Sequence, residues 1–100
     1  MSLPAIAEVI RSFAQDKKNI YDYLDLMLLW YRDVLMFKVT KDANLLLYRD
    51  EYHSVSVQAS KRSYEDIEQI IQAIDKAKIR LDANVNFDIA IELMLLTIKE

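Results

Sequence analysis

No residue between Lys17 and Thr40 breaks a helix, and the positions between them are apolar on almost every side. Ile20, Tyr21, Tyr23, Leu24, Leu26, Met27, Leu28, Leu29, Trp30, Tyr31, Val34, Leu35, Met36 and Phe37 cover most of a helical circumference. One side of such a helix packs on a core, and the remainder needs cover from further neighbours. A second segment of this kind follows the corner from Arg80 to Glu92. There Ile89, Ala90, Ile91, Leu93, Met94, Leu95, Leu96 and Ile98 leave Glu92 and Thr97 as the only polar positions before Lys99 and Glu100. Two helices with so little surface for water imply helix-on-helix packing and, beyond it, an assembly.

The totals set limits on what else is possible. With 100 residues, 53% of them hydrophobic, the chain can build one real core and has no room for a second domain. Glycine is absent, and average usage near 7% makes that roughly a one-in-a-thousand occurrence. Its turns therefore fall to Asn, Asp and Ser. The same absence removes phosphate-cradling loops and dinucleotide fingerprints, which need glycine where backbone approaches a phosphate, so no nucleotide or other cofactor is implied. Without cysteine there is no disulfide framework, thiol nucleophile or zinc knuckle, and a cytoplasmic setting is the expectation. A net charge of −3 argues against a domain whose main task is to neutralise nucleic-acid phosphates.

Ile20 to Val39 has a membrane-spanning length but carries Asp22, Asp25, Arg32, Asp33 and Lys38, too many charges for hydrocarbon. The opening Met1-Ser2-Leu3-Pro4 has neither the basic start nor the cleavage site of a signal peptide. Residues 1–100 are expected to form a single helical domain cut from a larger protein.

Along the chain, Leu3, Ile6, Val9, Ile10 and Phe13 recur at spacings of three and four, predicting a helix from Leu3 to Ala14 with Pro4 in its first turn. Asp16 is suited to cap the long helix that extends to about Val39. Thr40 to Asn44 reads as a polar turn before the apolar run Leu45 to Tyr48. From Arg49 to Lys61, Val55 and Val57 alternate with serines as in a strand, yet Tyr52, Val55 and Ala59 share a helical face, and no other strand exists to pair with; a helix is expected. Ser63 and Asp66 form a capping pattern. After it, Ile67, Ile70, Ile71, Ile74, Ala77 and Leu81 mark one stripe, with Glu65, Glu68, Gln72, Asp75, Lys76 and Lys78 away from it. Asn84 and Asn86 form the corner, entering left-handed conformations or capping the last helix, and Asp88 favours that helix's positive end. The expectation is an all-α bundle of about five helices.

Candidate sites are few. His53 is the sole histidine, and with Asp50 and Glu51 it makes no recognised ligand spacing, so no metal site is implied. Arg32 and Asp33 lie inside the long apolar helix, and Glu92 inside the last. A charge there must be paired or escape to water, since burying it alone costs several kcal/mol. The structural reading is that Arg32 reaches Glu92, or helix-end carbonyls, and fixes the register of the two most buried helices. An alternative is a small helical enzyme using Arg32, Asp33 and Glu92. Another is a DNA-binding module through Lys76, Lys78 and Arg80, but Asp75 and Asp82 flank them. The aromatics Tyr21, Tyr23, Trp30, Tyr31 and Phe37 lack the interleaved Lys or Arg of a base-stacking platform.

Two stretches carry a family resemblance. Trp30-Tyr31-Arg32-Asp33-Val34-Leu35 is similar to a Trp-x-Arg-Asp pattern followed by apolar residues. Arg80-Leu81, Asn84-Val85-Asn86, Ala90 and Glu92-Leu93 are similar to Arg-Leu, Asn-x-Asn, Ala and Glu-Leu positions. Together they resemble the C-terminal helical domain of bacterial DNA polymerase III clamp-loader subunits, delta-prime above gamma/tau or delta; Arg49 to Ser60 matches only loosely.

The resemblance implies a three-domain protein in which an N-terminal AAA+ module precedes a helical collar domain that joins the collars of other subunits. The assembly opens the sliding clamp and loads it on primed DNA. On this reading the chain has no catalytic residue of its own, needs no cofactor, has other clamp-loader subunits as partners and makes little or no direct contact with nucleic acid or membrane. Leu28, Tyr31, Leu35, Met94, Leu95 and Ile98 are the residues expected at the subunit interface.

Overall fold

Four α-helices make up most of the described residues: α1 (Ile20–Thr40), α2 (Tyr52–Lys61), α3 (Tyr64–Asp82) and α4 (Phe87–Ile98). The computed structural model describes Arg11 and residues 17–98. The helix expected from Leu3 to Ala14, Arg11 apart, and the cap expected of Asp16 lie outside the described residues. Short 3-10 turns at Lys17–Asn19, Ala43–Leu45 and Arg49–Glu51 complete the elements, and there is no strand among the described residues. The chain is all-α.

The helices pack in an order different from their order in the chain. α3 lies against both α1 and α4, and α1 also lies against α2. The stripe expected on α3 supplies the centre, with Ile67, Ile70, Ile74 and Ala77 buried. α1 contributes Leu24, Leu28 and Val34, α2 contributes Val55 and Ala59, and α4 contributes Ile91, Met94 and Leu95. Burying each large aliphatic side chain stabilises by roughly 1.5–3 kcal/mol, so this one contiguous cluster dominates the fold. Val55 and Ala59 are one turn apart on the inner face of α2, which settles the strand-like alternation with serine. Ser56 and Ser60 donate their hydroxyls to the carbonyls of His53 and Ser56, bonds that only a helix offers.

A chain without glycine must still end its helices. Lys41 takes the left-handed conformation (φ 57°) and its N–H returns to the Phe37 carbonyl at 2.8 Å, closing α1. Asn84 does the same after α3 (φ 59°), where Asn84 N–H bonds the Leu81 carbonyl and Val85 N–H bonds that of Arg80 at 2.9 Å. That pair of reversed bonds is a Schellman ending, with asparagine in the place usually held by glycine. Asn86 then starts α4, its Oδ1 accepting from the Ile89 amide at 3.1 Å. At the head of α3, Ser63 Oγ accepts from the Asp66 amide at 3.1 Å, with Glu65 and Asp66 in the positive first turn.

Candidate interaction surface

Among the described residues, the charge that enters the interior is Asp33. It is only 3% exposed, and its two oxygens accept the successive amides of Leu47 and Tyr48 at 3.0 and 2.8 Å. A buried carboxylate is tolerable when backbone N–H groups replace its water, and these charge-assisted bonds are stronger than neutral ones. Trp30, one turn earlier on the same face, meets the Tyr48 ring at a centroid distance of 6.0 Å. Leu46 is buried between them in sequence, plugging the core. Trp30 and Asp33 thus clamp residues 46–48, and the clamp fixes where the chain turns back into α2.

The expected Arg32–Glu92 pair is corrected by this geometry. Arg32 and Glu92 are both exposed, and no ion pair or hydrogen bond joins them among the described residues. The cause is helical phase: at about 100° per residue, Arg32 falls with Asp25, Leu29 and Met36 on the outer side of α1, while Asp33 turns under the loop. Asp33, committed to two backbone amides, has no lone proton-transfer role to share with the other two. His53 is exposed in the first turn of α2, and no group of three or more His, Asp or Glu is arranged to hold a metal among the described residues. No described helix is long and apolar enough to cross a membrane.

The residues expected at a subunit interface are also redistributed. Leu28, Tyr31, Met94, Leu95 and Ile98 are buried in the domain's own core, and Leu35 packs against that core partly buried. With apolar residues on every side of α1 and α4, the fold takes the faces that meet α3 and leaves others outside. Those left outside include Leu26 (54% exposed), Met36 and Val39 on α1 and Ile89 (51%) and Leu93 (43%) on α4, and Leu47 (68%) is exposed in the loop beside the Asp33 clamp. Leu26, Met27, Trp30, Tyr31 and Tyr48 line an open apolar cleft of about 420 Å³.

Polar links join the helices at and near the surface. Lys78 of α3 pairs with Asp25 of α1, and the Tyr21 hydroxyl donates to Asp82 at 2.7 Å. The hydrogen bond to Asp25 raises the Lys78 pKa, and that to Asp82 raises the Tyr21 pKa. At the other end, Lys38 Nζ donates to the Ala59 carbonyl at 2.9 Å, and Arg62 bonds Gln58 Oε1 and the Ile98 carbonyl. Arg62 so ties the end of α2 to the negative end of α4.

Residues 4–100 match the model of a family described as DNA polymerase III, delta subunit, C terminal. The chain belongs to that family. Among curated relatives, DNA polymerase III subunit delta' of Bacillus subtilis (strain 168) is 32% identical over 88 residues, a match covering 88% of this chain and 26% of the relative. The chain therefore spans about a quarter of that relative's length. No solved structure matches the chain significantly. The DNA polymerase III resemblance read from the Trp30–Leu35 and Arg80–Leu93 stretches agrees with both comparisons, and its delta-prime ranking agrees with the Bacillus subtilis relative. In this delta-family C-terminal domain, Trp30 and Asp33 act on the domain's own loop, which leaves Arg32 as the member of that stretch facing water.

Proposed function

We propose that this domain joins a clamp-loader subunit of DNA polymerase III to its neighbours as a collar, supporting clamp loading by an AAA+ module carried elsewhere in the longer protein. The observation that carries the reading is the apolar surface that the described residues expose outside their own core. Leu26 borders the apolar cleft with Met27, Trp30 and Tyr48, Leu47 is exposed beside the Asp33 clamp, and Ile89 and Leu93 form a ridge one turn apart on α4. Apolar clefts and ridges left exposed on a folded domain mark contacts with other proteins rather than with water. Family membership supports the choice of assembly, and the net charge of −3 supports protein partners over nucleic acid.

The test is co-purification of this chain with the other clamp-loader subunits of its own organism. L26E and I89E, both at exposed positions, are expected to keep the helical circular dichroism and the melting transition while losing partner capture. Capture at wild-type levels by both variants would remove the collar reading.

A further inference from the structure

The groove between α3 and α4 has a charge character opposite to that of the chain as a whole. Gln69, Gln72, Lys76 and Arg80 form one wall on α3, Leu93 and Thr97 the other on α4, and Ala73 lies in the same lining around about 330 Å³. Lys76 and Arg80 are one turn apart, so both ammonium and guanidinium reach the same space. Neither side chain has an ion pair or hydrogen bond among the described residues, and no carboxylate lines the groove. Lys78, the third cation of this stretch, is committed to Asp25 on the opposite side of α3. Thr97 spends its hydroxyl on the Leu93 carbonyl, which leaves the α4 wall effectively apolar. Ile89 extends that wall by one turn.

We infer that this groove receives a helix of a neighbouring clamp-loader subunit that presents one or two carboxylates beside an apolar stripe. The inference rests on the collar reading and specifies one of its contacts. Apolar residues of the incoming helix would cover Leu93 and Ile89, and its carboxylates would reach Lys76 and Arg80, with the two glutamines satisfying polar groups between them. A partner helix supplies both kinds of contact from residues spaced three and four apart. A nucleic-acid backbone fits less well. It would set phosphates against the apolar Leu93 and Ile89. A helix presents carboxylates to the two cations and apolar residues to the α4 wall at once.

The test measures binding of this chain to each of the other purified clamp-loader subunits, and separately to a primed-template DNA duplex. K76E/R80E is expected to weaken capture of one subunit by about tenfold or more and to flatten its salt dependence, whereas K78E, on the opposite side of α3, changes it by less than about threefold. K76Q/R80Q gives the same direction should the reversed pair fail to fold by circular dichroism. Unchanged subunit binding by both double variants while the wild type binds overturns the groove assignment and leaves the collar reading standing. Loss of DNA binding with subunit binding retained overturns it in favour of a phosphate site. Failure of the wild type to bind any subunit removes the collar reading and this contact with it.

Discussion

Asp33 accepts the Tyr48 amide at 2.8 Å across a loop in which no helix or sheet supplies a partner for that N–H. With the Leu47 amide on the other oxygen, one side chain satisfies two consecutive backbone donors. Leaving a buried donor unsatisfied costs about 1–3 kcal/mol, so Asp33→Ala is expected to lower stability by about 2–4 kcal/mol and Asp33→Asn, which keeps one acceptor, by about half as much. Trp30 is the only tryptophan and touches the Tyr48 ring, so its fluorescence reports the clamp directly. Urea titrations followed by that signal check the prediction. A loss below about 0.5 kcal/mol for Asp33→Ala would show that the loop is held by Leu46 alone.

How far the sequence could be read depended on whether a feature was local. The Ser63 and Asn86 caps, the αL turn at Asn84 and the α3 stripe follow from residues within a turn or two of each other, and the geometry at each is the one those residue types favour. Asp33 is different. Its burial depends on a segment fourteen and fifteen residues away, and Leu45 to Tyr48 carries no period that announces where it will lie. Arg32, its neighbour, offered the same sequence signal of a charge in an apolar helix and went outward. The burial of the expected interface residues within the domain has a related cause. Hydrophobic periodicity finds the inner face of a helix only when the other face is polar, and α1 and α4 have no polar face to contrast. Leu93 and Met94 are equally apolar in sequence, and only the position of α3 decides between them.

Asn84 is held at φ 59°, a region that costs most residues roughly 1–2 kcal/mol and glycine almost nothing. Asn84→Gly is therefore expected to be neutral to about 0.5 kcal/mol stabilising, the relief of backbone strain being offset by greater freedom in the unfolded chain. Asn84→Val, β-branched and without a polar side chain, should destabilise by more than about 1 kcal/mol. Thermal melts of the two variants in parallel distinguish these outcomes. Equal melting temperatures would mean that the Schellman bonds to Arg80 and Leu81 are too weak to impose the turn.

Lys78 and Tyr21 tie α1 to α3 at the surface, and their pKa values are raised by hydrogen bonds to Asp25 and Asp82 respectively. A group whose folded pKa lies above its unfolded value contributes its stability fully below the unfolded value and loses it as pH climbs through the folded one. The ordinary values are 10.0 for tyrosine and 10.5 for lysine. Both contributions should accordingly be constant through neutral pH and vanish only in alkali. A Y21F/K78M variant is expected to lie slightly below the wild type in urea stability at pH 7, with the two curves converging above pH ~10.5. A gap that persists undiminished in strong alkali would mean that the substitutions act through packing.

Leu93 and Met94 are adjacent on α4 and should separate folding from assembly. Met94 is fully buried in the core that α3 and α4 share, and Leu93 is 43% exposed along the groove. Truncating a buried methionine removes its transfer energy and leaves a cavity, so Met94→Ala is expected to cost about 2–5 kcal/mol. Leu93→Ala removes atoms that still touch water in the free domain and should cost no more than about 1 kcal/mol of stability. In partner binding the order should reverse once unfolding is accounted for. Leu93→Ala is expected to weaken capture of the subunit proposed to fill the groove, while the folded fraction of Met94→Ala is expected to bind with near wild-type affinity. Denaturant titration and a binding isotherm on the same protein preparations check both halves. Equal stability losses at the two positions would place Leu93 in the core, and unchanged binding by Leu93→Ala would take the apolar wall out of the interface.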